Sequence, residues 1–133
     1  SPDSFDLIIN CSSVEHVGLV GRYGVTRSNE NGDLKVMKLL RQIIKPDGRM
    51  LLTVPVGEDS VFAPLHRVYG ENRLPLLLEG WDTVAEAYWN KDEKNLWTEV
   101  DKEIALSRKP ARDLYGLGCF VLLPTKQTLG VVD

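Results

Sequence analysis

The stretch Leu39-Leu40-Arg41-Gln42-Ile43-Ile44-Lys45-Pro46-Asp47-Gly48-Arg49-Met50-Leu51-Leu52-Thr53-Val54-Pro55 decides the fold class, because within it the chain passes from a helical to an extended pattern. Val36, Met37, Leu40, Ile43 and Ile44 recur at the spacing of an amphipathic helix running to Lys45. Asp33, after the turn formers Asn31-Gly32, is placed to cap its start. Lys45-Pro46-Asp47-Gly48 then sets Pro at the second and Gly at the fourth position of a type I turn, a sharp stop. Met50 to Val54, between Gly48 and Pro55, is a short apolar run that reads as a strand buried on two faces. Leu7-Ile8-Ile9, between Asp6 and Asn10, reads the same way. Strand, helix and strand in this order predict a right-handed crossover joining parallel strands.

Downstream, residues 55 to 70 contain Pro55, Gly57, Pro64 and Gly70 without a period, and predict a long loop leaving the carboxyl end of the second strand. A short helix is expected from about Asn72 to Glu79, with Gly80 ending it. Trp81 to Trp89 alternates as a strand would, yet its Ala and Glu favour helix, so its residues alone leave both open. Leu96, Trp97, Val100 and Ile104 predict a surface helix over 95–106. Gly116-Leu117-Gly118 introduces a last buried strand, Cys119 to Leu123, closed by Pro124, and a frayed tail is expected after Thr125. The whole reads as one α/β domain over 1–125 with a tail at 126–133. The opening Ser1-Pro2-Asp3, without a methionine and running at once into a strand, reads as a piece of something longer.

Composition narrows the functional classes. With 133 residues, 43% apolar and 26% charged, the chain can bury one core. A formal charge of −3 without a basic block argues against a nucleic-acid partner. Its apolar runs, such as Phe120 to Leu123, fall far short of the roughly 20 residues of a membrane span. Two cysteines and no signal peptide make a reducing, cytoplasmic setting the default. With two histidines, no Cys-x-x-Cys pair and no His-Glu-x-x-His helix, no metal site is expected.

Ser4-Phe5-Asp6-Leu7-Ile8-Ile9 followed by Val14-Glu15-His16-Val17 resembles the fourth strand and following loop of class I S-adenosylmethionine-dependent methyltransferases, and Leu39 to Pro55 resembles the helix, turn and fifth strand that come next. More narrowly, Gly21-Arg22-Tyr23-Gly24, Asn31 to Lys35, Val54-Pro55-Val56-Gly57 and His66-Arg67-Val68-Tyr69-Gly70 resemble an uncharacterised, domain-of-unknown-function branch of methyltransferase-like proteins. The resemblance covers residues 3 to 89 well and 116 to 125 loosely. It implies a partial Rossmann-like fold, a mainly parallel sheet in the family order 4-5-7-6 with flanking helices and the last strand antiparallel, and it tips Trp81 to Trp89 towards strand. The glycine-rich loop and the acidic ribose ligand of that family have no counterpart here, so the cofactor, S-adenosylmethionine, is expected only where an amino-terminal half is also present.

In open α/β sheets ligands sit outside the carboxyl ends of the strands. Two stretches qualify here, Asn10 to His16 and Pro55 to Arg67. The resemblance implies that Asn10, Ser12 and Ser13 face the cofactor. His16 is the candidate general base, since imidazole titrates near neutrality; the alternative is that Glu15 and His16 cap the following turn. Arg22 and Tyr23, between two glycines, could close over a carboxylate or phosphate, or lie in a solvated loop. Glu15, His66, Arg67 and Tyr69 complete the substrate candidates, against the alternative of an Arg paired with Glu71 or Glu79 and a half-buried Tyr.

The expected function is methyl transfer to a small or saccharide-like acceptor. The rival is a non-catalytic interaction module that pairs its sheet edge with another chain, for instance as a homodimer through Leu7 to Cys11. Cys11 and Cys119 are expected to remain unbridged, because one intervening strand puts their backbones about 10 Å apart.

Overall fold

A computed structural model describes residues 1–21 and 27–126. Arg22 and Tyr23, and the tail beyond Lys126, therefore lie outside the described residues. The crossover forms as the sequence predicts: β1 (Phe5–Cys11) runs parallel to β2 (Ile44–Val56), with α1 (Gly32–Ile43) between them. Lys45 to Gly48 is looped out within β2, since Phe5 pairs with Ile44 and Leu7 already with Arg49. Asp33 does not cap α1. Asn31 holds that position, and Asp33 points into the protein, wholly buried.

After β2 the expected loop contains a hairpin, β3 (Ser60–Phe62) with β4 (His66–Val68), turning through a cis Ala63-Pro64 bond. Strands of three residues are too short to show a period, which is why this stretch reads as loop. Next come α2 (Arg73–Leu77) and β5 (Trp81–Lys91), so Trp81 to Trp89 is strand. The helix expected over 95–106 is corrected: Trp97–Val100 is β6, hydrogen-bonded to β5, and only Lys102–Ser107 is helical, as α3. The Asp92 carboxylate accepts from the backbone N–H groups of Lys94 and Leu96, and Asn95 takes a left-handed φ of 63°. That side-chain turn closes a hairpin and overrides the apolar spacing.

With β7 (Gly116–Pro124) the main sheet has the order β1-β2-β7-β5-β6. The 4-5-7-6 arrangement is thus present in β1, β2, β7 and β5. The sheet is mixed rather than mainly parallel, because β1 with β2 is its one parallel pair and β7 runs against both β2 and β5. No helix among the described residues is long and apolar enough to cross a membrane.

The core lies on one side of this sheet. Met50, Leu52, Val54, Phe120 and Leu122 meet Met37 of α1, Leu74 and Leu77 of α2, and Ala105 and Leu106 of α3. The other side is open: Leu7, Ile9 and Leu51 are 51%, 66% and 37% exposed. The expectation that β1 and β2 are buried on two faces is therefore corrected; their apolar residues point to both sides, but among the described residues helices cover only one. Cys11 and Cys119 are both free and share one row on the open side, each paired with Thr53 between them.

Candidate functional site

β1 delivers the chain to the carboxyl edge of the sheet, where it turns sharply. Ser12 adopts φ 50°, its N–H donates to the Thr53 carbonyl at 2.9 Å, and its hydroxyl lies 3.2 Å from that of Thr53. The 3₁₀ turn Val14–His16 follows and drives Val14 and Glu15 inward. The Glu15 carboxyl is 2% exposed; one oxygen lies 3.8 Å from His16 Nε2, and Oε1 has no hydrogen-bond partner among the described residues. Burial raises its pKa, only partly countered by its own backbone N–H and by His16.

His16 is held from the other side. Its Nδ1 is bonded to the Leu65 carbonyl at the start of β4, and since a carbonyl only accepts, Nδ1 carries the proton. Nε2 is then the nitrogen left for a second partner, on the side of Glu15. His66 sits 6.4 Å from His16 between rings, with Phe62 at 5.6 Å and Tyr115 at 5.0 Å. Tyr115 has its pKa raised by burial and then by the Glu15 charge. Lys91 lies over both the Tyr115 and Trp97 rings, at 5.6 and 5.7 Å. β1, β2 and β5 end here and β6 and β7 begin here, so these groups share one edge of the sheet.

Behind this cluster runs a polar seam. Arg67, 1% exposed, donates to the carbonyls of Val17 at 2.5 Å and Asn29 at 3.0 Å, and so ties the loop after β1 to the start of α1. Gly18, at φ 80°, admits the close approach of Asn29; a Cβ there would strike its carbonyl. Asp33 receives Arg73 Nε at 3.0 Å, Arg73 Nη2 at 2.7 Å and the Tyr69 hydroxyl at 2.9 Å. Burial alone would raise the Asp33 pKa, but the Arg73 hydrogen bond, Arg67 and Tyr69 together bring it below the ordinary range. Burial, with Asp33 second, pushes Tyr69 far upward.

The expected residues thus divide. Glu15, His16 and His66 come together at the sheet edge. Arg67 and Tyr69 stand beside them but direct their polar groups into the seam, where the partner of Arg67 is neither Glu71 nor Glu79. Ser12 and Ser13 are exposed at the end of β1, whereas Asn10 turns to the covered side, its amide 3.7 Å from the sulfurs of Met37 and Met50. Tyr115 was not legible: only the pairing of Val56 with Gly116 brings it to the edge. A cleft of about 450 Å³ opens beside Arg67 and Arg73, walled by Leu19, Asn29, Val61 and Ala63. Another, of about 490 Å³, lies at the opposite edge between Asp3, Gln42 and Pro124.

Residues 2–112 match the family described as Caenorhabditis protein of unknown function, DUF268. The chain belongs to the DUF268 family. No curated protein matches it by sequence. Among solved structures, this DUF268 chain is similar to a Leishmania major S-adenosylmethionine-dependent methyltransferase of the DUF858 family, with 16% identity and a TM-score of 0.50 over 92% of this chain and 39% of that one. It is also similar to the PH0226 protein of Pyrococcus horikoshii OT3, with 13% identity and a TM-score of 0.51 over 93% of this chain and 53% of that one. The fold of the DUF268 chain is accordingly methyltransferase-like, and the chain spans about two fifths to one half of these neighbours' length.

The described residues do not by themselves fit S-adenosylmethionine. Beyond β1 they offer Ser12 and Ser13, with neither a glycine-rich loop after a preceding strand nor an acidic residue placed to hold a ribose.

Proposed function

We propose that this chain is the acceptor-side half of a methyltransferase-like protein, whose S-adenosylmethionine site is completed by chain outside these residues. The observation that carries this reading is the sheet order β1-β2-β7-β5, parallel at β1 and β2 and antiparallel at β7, which aligns over nine-tenths of the chain with the Leishmania major methyltransferase.

What the chain contributes is proton handling and shape. An acceptor hydroxyl or amine reaching the sheet edge would meet His16 Nε2, the nitrogen that the Leu65 carbonyl leaves for a second partner. Glu15 beside it would stabilise the ring once charged. Arg67 and the Asp33 seam hold this wall rigid, and the cleft beside Arg67 has room for a small or saccharide-like acceptor. Arg22 and Tyr23 are proposed as further acceptor contacts; in sequence they follow Val20, which lines the cleft.

Calorimetric titration tests the reading. This chain alone should give no binding of S-adenosylmethionine near the low-micromolar level, roughly −8 kcal/mol, whereas a longer chain carrying its amino-terminal half should reach it. Micromolar binding by the chain alone, or none by the longer chain, would overturn the proposal. In the longer chain His16→Gln should slow turnover while leaving cofactor affinity unchanged; an equal loss in both would remove the base assignment.

A further inference from the structure

Lys91, Trp97 and Tyr115 take no part in the proton handling at the sheet edge. Lys91 ends β5 and pairs across the hairpin with Trp97, the first residue of β6. Its Nζ lies 5.7 Å from the centre of the Trp97 ring and 5.6 Å from that of Tyr115, so two aromatic rings fix the place of the ammonium. Rings hold a cation without neutralising it. Among the described residues no carboxylate stands within ion-pair distance of Lys91. The neighbouring acids are engaged elsewhere: Asp92 accepts from the N–H groups of Lys94 and Leu96, Glu99 stands opposite Trp89, and Asp113 lies 3.4 Å from Arg112. Lys91 is itself half-buried, so part of its water is replaced by ring surface and no counter-charge takes its place. We propose that Lys91 sets the specificity of this edge for an oxyanion, a carboxylate or phosphate carried by a small molecule whose apolar body lies on Trp97.

The strands supply the placement. Trp97 is 43% exposed, a broad apolar surface at the margin of the sheet, and the turn closed by Asp92 keeps it opposite Lys91. Tyr115 joins this corner to the histidines, since its ring meets His66 at 5.0 Å and His66 meets His16 at 6.4 Å. At most three such contact steps separate the ammonium from the candidate base. A molecule reaching both spans several bonds, as a sugar acid or a sugar phosphate does. Glu15, whose charge would oppose an anion, is 2% exposed and turned to His16. Lys91 also stands three strands from β1, so chain that joined the sheet at β1 would be remote from it. Where the bound molecule lies rests on the acceptor reading; its charge is what Lys91 adds.

Two matched pairs of probes, glucuronate with glucose and phenyl phosphate with phenol, separate charge from body. Each is titrated into the isotopically labelled chain and followed at the amide signals of Trp97 and Gly116. At least one anion should bind about fivefold tighter than its neutral partner, and the pair that responds distinguishes carboxylate from phosphate. Lys91→Met should bring the members of that pair within about twofold of each other, whereas Lys91→Arg should keep most of the preference. Added salt should weaken the anion and leave the neutral partner unmoved. No binding of either anion, equal affinities within each pair, or a preference that survives Lys91→Met would overturn the inference. The cofactor titration is independent of all three. An anion preference in this chain, with no S-adenosylmethionine binding by the longer one, would keep the anion site and remove only the methyl-transfer reading.

Discussion

The two sides of this sheet are built from neighbouring residues of the same strands and meet opposite fates. Leu52, wholly buried, packs beneath α1 and α2, while Leu51 beside it is 37% exposed. Phe120 and Leu122 lie in the core, and Cys119 and Val121 between them face outward. Both sides are apolar, so side-chain character does not separate them. Cover does: α1, α2 and α3 all reach the same side, and the polar seam around Asp33 locks α1 to α2 there. An apolar strand pattern therefore states what a strand can bury, and connectivity decides what it does bury.

The sharpest way to break the covered side is through that seam. Asp33→Ala would leave Arg67 and Arg73 near a site with no carboxylate, and should cost about 3 to 5 kcal/mol in urea unfolding, the range for breaking a buried ion pair from one partner. A cost below about 1 kcal/mol would show that the seam is ornament to the packing.

The strand pair at the centre of the comparison comes next. Leu52→Ala should destabilise by about 2 to 5 kcal/mol, because it opens a cavity in a closed core. Leu51→Ala, measured at submicromolar concentration, should stay within about 0.5 kcal/mol. Equal effects would mean that the open side is covered in solution even by the dilute chain.

How much of this was legible follows from the distance over which each signal acts. The β1-α1-β2 crossover rests on periods within single segments, whereas the strand at Trp81 was left open by its own residues and was tipped by the family resemblance. Asp33 was misread because Asn31, Gly32 and Asp33 are all start signals, and the residue that claims its carboxylate, Arg73, lies 40 positions away. Trp97 was misread because Leu96, Trp97, Val100 and Ile104 fit a helix, while the turn at Asp92 that sets the β5-β6 hairpin depends on one side chain. At the candidate site His16 and His66 stood out as residue types. Their meeting with Tyr115 depends on the antiparallel register of β2 and β7, which no local pattern carries.

Acidification separates the two buried carboxyls with a smaller effect. Asp33 is held below the ordinary range, so its contribution is complete above the unfolded value and is lost as pH falls through the folded one. Glu15 is raised, so it acts in the opposite sense: stability falls as pH rises through the unfolded value and levels off above the folded one. Unfolding midpoints from about pH 3 to about pH 8 should show Asp33→Asn flattening the acid limb and Glu15→Gln more stable than wild type at neutrality. A Glu15→Gln variant weaker than wild type at neutral pH would mean that the Glu15 charge is stabilised in the fold.

Hydroxyl-radical footprinting of the dilute chain addresses the two-sided sheet most directly, because intrinsic reactivity and exposure oppose each other here. Methionine sulfur reacts much faster than an aliphatic side chain, yet Met37 and Met50 are 1% and 0% exposed on the covered side, and Ile9 and Leu51 stand open on the other. The account predicts oxidation at Ile9 and Leu51 with Met37 and Met50 protected. Rapid oxidation of Met37 and Met50, or protection of Ile9 and Leu51 at every concentration, would contradict it.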